Sequence, residues 1–180
     1  MEELGLDMIM TLLPIEAQGA LLSKLKVSEE TTASPAGAIL MGMYILEYVG
    51  FPKYVDEVLE ERHLTIEQLK EHWHNRGESE KPLVPSTGII LSLMAADMIA
   101  CPRNITPAYK FEEMAWEWRT GPLLGIEPSL LNDDKIGRAM SAISTDPQNL
   151  QEVLFSMIMD TAKKEGIPLN KFILDTTLLE

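Results

Sequence analysis

Three histidines (His63, His72, His74), one cysteine (Cys101) and the adjacent carboxylates Asp133 and Asp134 are the first side chains to weigh for chemistry. His72-Trp73-His74 is an H-x-H pair. On a helix its two rings point in divergent directions, and no cysteine or third histidine is near. Solvent-facing polar residues beside a loop are the favoured reading over a metal site. Cys101 ends the most hydrophobic element of the chain, where a small core residue is expected rather than a nucleophile. Asp133 and Asp134 follow Asn132 at a helix start. There the macrodipole favours carboxylates without any catalytic role. The phosphate-cradling, nucleophile-elbow and H-E-x-x-H patterns are all missing from the sequence.

Nucleic-acid chemistry has two candidate carriers. Tyr109, Phe111, Trp116 and Trp118 could stack on bases. They are interleaved with Glu112, Glu113 and Glu117, so core packing is the expected use. The elements at 86–101 and 107–119 could form a helix-turn-helix, with Arg103, Asn104, Lys110 and Arg119 facing phosphates. Residues 85–111 hold two basic residues and one acidic residue, which is hardly a basic patch. Two packed antiparallel core helices explain the same pattern at least as well. The whole chain has 15 Lys+Arg against 28 Asp+Glu, a formal charge of −13. Such a balance repels phosphates and anionic lipid heads unless it is overcome locally.

These residues sit on a succession of helices. Leu6, Ile9, Met10 and Leu13, then Ala17, Ala20, Leu21 and Leu25, recur at helical spacing through 1–27, with a kink expected at Pro14. Residues 28–35 form a small polar linker. Ser34-Pro35 opens a helix that runs from Ala36 to Tyr48 and stops at Gly50-Phe51-Pro52. Residues 53–62 predict a short amphipathic helix with Tyr54, Val55, Val58 and Leu59 on one side. Thr65 begins the next, and 74–82 reads as an exposed loop. Pro85-Ser86 and Cys101-Pro102 bound an element apolar nearly all round, which predicts a central, buried helix. Thr106-Pro107 should cap a helix through Trp118 that ends at Gly121-Pro122. Asn132 starts another, with Asp134 and Arg138 paired at i,i+4. Asp146-Pro147 caps a long helix from about 147 to 165 that stops at Gly166-Ile167-Pro168. The run 171–177 is a short β-capable segment. A lone strand cannot satisfy its own backbone, so it needs a partner from another chain or a further domain.

Apolar residues are 46% and charged residues 24% of the chain. That composition excludes bulk disorder and allows one domain with a short appendage. The eleven methionines are expected mainly as core filler. A single cysteine excludes an internal disulfide framework and fits a reducing cytoplasm. The acidic start argues against a signal peptide. Neither apolar stretch, 36–51 with Glu47 or 88–101 with Asp97, reaches the length of a membrane span.

Three segments, in order, carry a family resemblance. They are Thr106 to Ala115, Leu130 to Met140 (LLNDDKIGRAM) and Phe172 to Thr177 (FILDTT). Together they resemble the N-terminal region of bacterial and archaeal insertion-sequence transposases of the DDE type. In that family a helical domain of unassigned function precedes a ribonuclease-H-like core. The resemblance covers about 34–177. It implies a mainly α fold, a multi-helix orthogonal bundle with a short C-terminal β-strand. Residues 1–33 would be an extension and linker, 34–168 the helical transposase N-terminal domain, and 169–180 the first strand of the missing core. It also implies that Asp175 is the first metal-binding carboxylate of the catalytic triad. Mg²⁺ is then expected for a complete transposase and no cofactor for this chain. Two such ions would activate water and then a 3′-hydroxyl for attack on phosphodiesters. One carboxylate cannot hold two divalent ions against water, so the isolated chain is expected to be catalytically inactive.

The expected role is that of an accessory domain in DNA transposition. It would bind transposon-end DNA or hold protomers and the catalytic core together, with no membrane contact. The acidic balance favours protein contacts, and the turn from Arg103 to Lys110 is the candidate for any DNA contact made here. The alternative is a stand-alone helical interaction or regulatory module derived from a transposase.

Overall fold

In the computed structural model, residues 35–77, 80–101 and 105–168 are described. Among them lie eight α-helices and no strand. These are α1 (Pro35–Tyr48), α2 (Phe51–Val58), α3 (Ile66–Asn75), α4 (Thr87–Ala100), α5 (Phe111–Glu117), α6 (Thr120–Leu124), α7 (Asp133–Ser144) and α8 (Pro147–Lys164). Short 3₁₀ turns, Ala108–Lys110 and Pro128–Leu131, precede α5 and α7. The mainly α class is as the sequence implies. The β-capable run at 171–177 lies outside the described residues.

The central helix is α4. It packs along α1, meets α2 near its start and touches α7. Ile89, Ile90, Leu93 and Ala96 on it are buried with Ile39, Met41 and Met43 of α1 and with Ile136 and Ala139 of α7. The two apolar helices cross closely at Gly42, where an added Cβ would lie 2.9 Å from the Cβ of Ala96. Helix α3 packs on α6, and α5 packs on the 128–131 turn, filling the other side of the same core with Leu69, Phe111, Leu124 and Leu131. A smaller cluster, Tyr54, Val55 and Val153, joins α2 to α8.

Local capping sets most of the boundaries. Thr65 and Gln68 form a reciprocal capping box on α3. Ser86, Asn132 and Asp146 cap α4, α7 and α8 through their side-chain oxygens. The end of α8 closes at Gly166, whose φ of 64° lets the Ile167 N–H reach back to the Ala162 carbonyl at 2.8 Å.

Several expectations need correction. The amphipathic helix spans Phe51–Val58 rather than 53–62, because Gly50 and Pro52, read as a stop, also begin α2. Likewise Gly121 and Pro122 lie inside the short helix α6 instead of ending α5. Pro can occupy the first turn of a helix, where its missing N–H has no partner to lose. Thr106 does not cap α5; its hydroxyl donates to Asp97 Oδ1 at 2.9 Å. The expected pairing of 86–101 with 107–119 is not formed as a helix pair, since the extensive contacts of α4 are with α1, α2 and α7. Arg138 Nε donates to the Asp134 carbonyl at 3.2 Å where a side-chain ion pair was expected.

Candidate functional site

The sequence-derived residues divide into two groups. Asp175, Arg103 and Asn104 lie outside the described residues. Lys110 and Arg119 are exposed, at opposite ends of α5. They are nine positions apart, on the order of 13 Å along a helix. Between them the exposed side of α5 carries Glu113, Trp116 and Glu117. The two cations therefore flank an acidic, aromatic surface and do not converge on one anion. Arg119 adopts a left-handed backbone, φ 51°, as the chain turns from α5 into α6.

The aromatic group is split, contrary to the expected core packing. Phe111 is buried and Trp118 packs against the core, as expected. Trp116 and Tyr109 are 59% and 69% exposed. In a seven-residue helix Phe111, Met114 and Ala115 take the inward positions, which leaves Trp116 outward. The methionines also divide: Met41, Met43 and Met114 are buried, whereas Met98 and Met140 stand out into solvent. Cys101 is only partly buried. Burial and the neighbouring Asp97 charge push its thiol up, away from the reactive thiolate.

None of the histidines sits in a ligand set. His74 Nδ1 lies 2.7 Å from the Lys70 carbonyl, and His72 Nε2 lies 3.1 Å from that of Lys81. Among the described residues no three His, Cys, Asp or Glu side chains converge to hold a metal ion. Nor is any described helix long and apolar enough to cross a membrane.

Sequence reasoning missed the densest polar cluster, which surrounds the start of α4. Asp56, on α2, is fully buried. Its Oδ1 accepts the Gly88 N–H at 2.7 Å, and its Oδ2 accepts the Ser86 hydroxyl at 2.8 Å. His63 Nδ1 lies 3.0 Å from the same Oδ2. Burial pushes this carboxyl above the usual carboxylate range, against the opposing pull of those three partners. Glu61 completes the collar: its two oxygens accept the Thr87 N–H at 2.9 Å and the Thr87 hydroxyl at 2.8 Å. The first N–H groups of α4 are thus satisfied by Glu61, Asp56 and the cap of Ser86, with two carboxylates at the positive end of its dipole.

A serine, a histidine and an aspartate in contact invite comparison with a hydrolytic triad, and the geometry excludes it. Ser86 and His63 both bind Asp56, so the imidazole is not interposed between hydroxyl and carboxylate. Ser86 is also buried and caps Ile89. Its hydroxyl is committed to the fold. Gly88 admits this arrangement, since a Cβ there would lie 2.1 Å from the Pro52 carbonyl oxygen. The sequence signal was present in Ser86-Thr87-Gly88, but nothing local tied it to an acid thirty residues earlier.

A concave feature among the described residues is a cleft of about 470 Å³ lined by Trp73, Arg76, Gly77, Glu80, Pro82 and Glu127. Arg76 stacks 4.1 Å from the Trp73 ring and bonds Glu127 at 2.8 Å. Its cation and anion already satisfy each other. What the described surface offers chemically is apolar and aromatic contact set among acids. Comparison with family models, with curated proteins and with solved structures finds no match to this chain.

Proposed function

We propose that this chain is the helical accessory domain of an insertion-sequence transposase, acting through protomer or catalytic-core contacts more than through phosphate binding. The order of the three resembling segments supports the family. Asn132, Asp133 and Asp134 of the central segment stand at the start of α7, as a helix-opening motif requires. The preference for protein contact rests on one observation: Trp116, Tyr109 and Phe155 are 59%, 69% and 64% exposed on a chain of net charge −13. Aromatic side chains of this size are characteristic anchors of protein interfaces, and acid around them disfavours DNA.

Fluorescence anisotropy against duplex DNA tests the preference. Binding is expected to be weak and steeply salt-dependent, in the range of non-specific contact, roughly 10⁻⁴ to 10⁻⁶ M. A nanomolar complex at physiological salt would overturn it. The nucleotide sequence after the Glu180 codon tests the family. A coding continuation with a second Asp and a Glu supports a transposase; an intact stop with its own promoter favours the stand-alone regulatory module.

A further inference from the structure

The longest helix, α8, lies outside the main core. Among the described residues the larger hydrophobic cluster takes nothing from it. The smaller cluster takes Val153, fully buried, and Met157, partly buried. Ala162 is the other buried residue of the helix. Helix α2, on which α8 lies, is fixed by other means. Asp56 accepts the Gly88 N–H of α4 at 2.7 Å, and Gly88 sits so close that a Cβ there would lie 2.1 Å from the Pro52 carbonyl oxygen. The support is thus anchored to the core by contacts in which α8 has no part.

Further ties of α8 are polar and lie in or just past its last turns. Tyr54 donates to Asp160, and the Tyr48 hydroxyl donates to Glu165 Oε1 at 2.5 Å. Lys164 Nζ donates to the Tyr48 carbonyl at 3.2 Å and stands 5.7 Å from the centroid of that ring. Asp160 and Glu165 are partly exposed and Lys164 is exposed, so water can replace each of these bonds at little net cost. Thr161 opposes closure. Its hydroxyl oxygen is buried with no hydrogen-bond partner among the described residues, and water satisfies it once the helix lifts. The connection to α7 is short, only Thr145 and Asp146.

We infer that α8 is a strap, opening as a unit about Thr145 and Asp146 while the rest of the domain stays folded. Opening uncovers Tyr54 and Val55 on α2, so the domain has two surfaces, one with the strap down and one with it lifted. Sub-global opening belongs to elements with few buried apolar contacts and with bonds that water can replace. An 18-residue helix off its support is marginal in water, so its amides lose protection when it lifts. The inference goes beyond the accessory-domain reading and does not require it.

Native-state hydrogen exchange on the full chain, read by NMR at several urea concentrations below the unfolding transition, tests the opening. Amides from Leu154 to Ala162 are expected to exchange on the order of a hundredfold faster than those from Leu91 to Ala96, and with a shallower dependence on urea. Two variants separate the strap from the core. Ile126→Val trims a fully buried residue of the larger cluster, so it should speed exchange in α4 by about fivefold and leave α8 unchanged. Tyr48→Phe with Tyr54→Phe removes both phenol donors and should speed exchange in α8 by about tenfold. A common rate and urea slope for the two helices, an equal response of both to Ile126→Val, or an α8 indifferent to the phenylalanine pair would each overturn the inference.

Discussion

Replacing Asp56 by alanine should be among the most damaging single changes in this chain. The carboxylate is fully buried and receives the Gly88 N–H, the Ser86 hydroxyl and His63. Truncation leaves the Gly88 and Ser86 donors buried without acceptors, at about 1–3 kcal/mol each. Part of this is returned, because a buried charge no longer has to be desolvated. The net expectation is a loss of about 3 kcal/mol. With a urea slope near 2 kcal/mol/M, plausible for a domain of this size, the midpoint falls by roughly 1.5 M. Urea unfolding followed by far-UV circular dichroism reads the shift. Asp56→Asn separates charge from hydrogen bonding: it keeps an acceptor for Gly88 and, by rotation of the Ser86 hydroxyl, can keep that contact. Its loss should be nearer 1 kcal/mol. The pH dependence supplies the sign. Burial raises the folded pKa of Asp56 above its ordinary 3.8. The folded state therefore holds that proton more tightly, and this contribution to stability is lost as pH rises from about 4 through the raised value. Asp56→Asn should remove that part of the slope. A midpoint for Asp56→Ala within about 0.3 M of wild type would refute the reasoning and mean that water or a rearranged turn replaces the carboxylate.

Three further outcomes follow from the same geometry. Tyr54 donates to Asp160 and is pushed up to about 12, chiefly by its burial. A phenol protected in this way contributes stability below its ordinary value near 10 that is lost as pH rises from there through about 12; Tyr54→Phe should flatten this alkaline loss in thermal melts. Glu60 ends α2 in the left-handed region at φ 54°, so Glu60→Gly should raise the urea midpoint by an amount equivalent to about 0.5–1 kcal/mol. Incubated with supercoiled plasmid and Mg²⁺ or Mn²⁺, the 180-residue chain should produce no nicked circle; nicking that Asp175→Ala abolishes would contradict the expectation from a lone carboxylate.

Legibility followed the range of the interaction. Ser86, Asn132 and Asp146 were readable as caps because each acts on a backbone N–H two or three residues away. The same shortness of range explains the boundary errors at Pro52 and Pro122. A Gly-Pro neighbourhood ends one helix and can begin the next, and only packing decides whether the new helix has something to lie on. For α2 that support is the cluster beneath α8, and for α6 it is α3. Trp116 was misjudged for a related reason: two turns of helix give too little periodicity to tell an inward aromatic from an outward one.

The Asp56 collar was illegible in principle, because its parts are ordinary when read apart. A Ser-Thr-Gly helix start and an acidic amphipathic helix each have complete local explanations. Their joint meaning appears only when α4 is apolar nearly all round. Its first half, Thr87 to Leu93, is buried on nearly every side, while Met98 and Ile99 at its far end are half exposed, so the free N–H groups of its first turn cannot reach water. Burial of α4 therefore demands acceptors from elsewhere in the fold, and Asp56 and Glu61 supply them from α2 and the turn that follows it. At the other end Asp97 accepts the Thr106 N–H at 2.8 Å and its hydroxyl at 2.9 Å, tying the returning loop to the last turn. The acids most closely tied to α4 are thus structural, which removes them from the inventory of catalytic candidates. What remains for function among the described residues is exposed surface, most clearly the aromatic side of α5. Around α5, Tyr109 and Trp116 stand with Glu113 and Glu117, whose charge disfavours phosphates, so the acidity that weakens a phosphate-binding role there supports the proposed preference for protein partners.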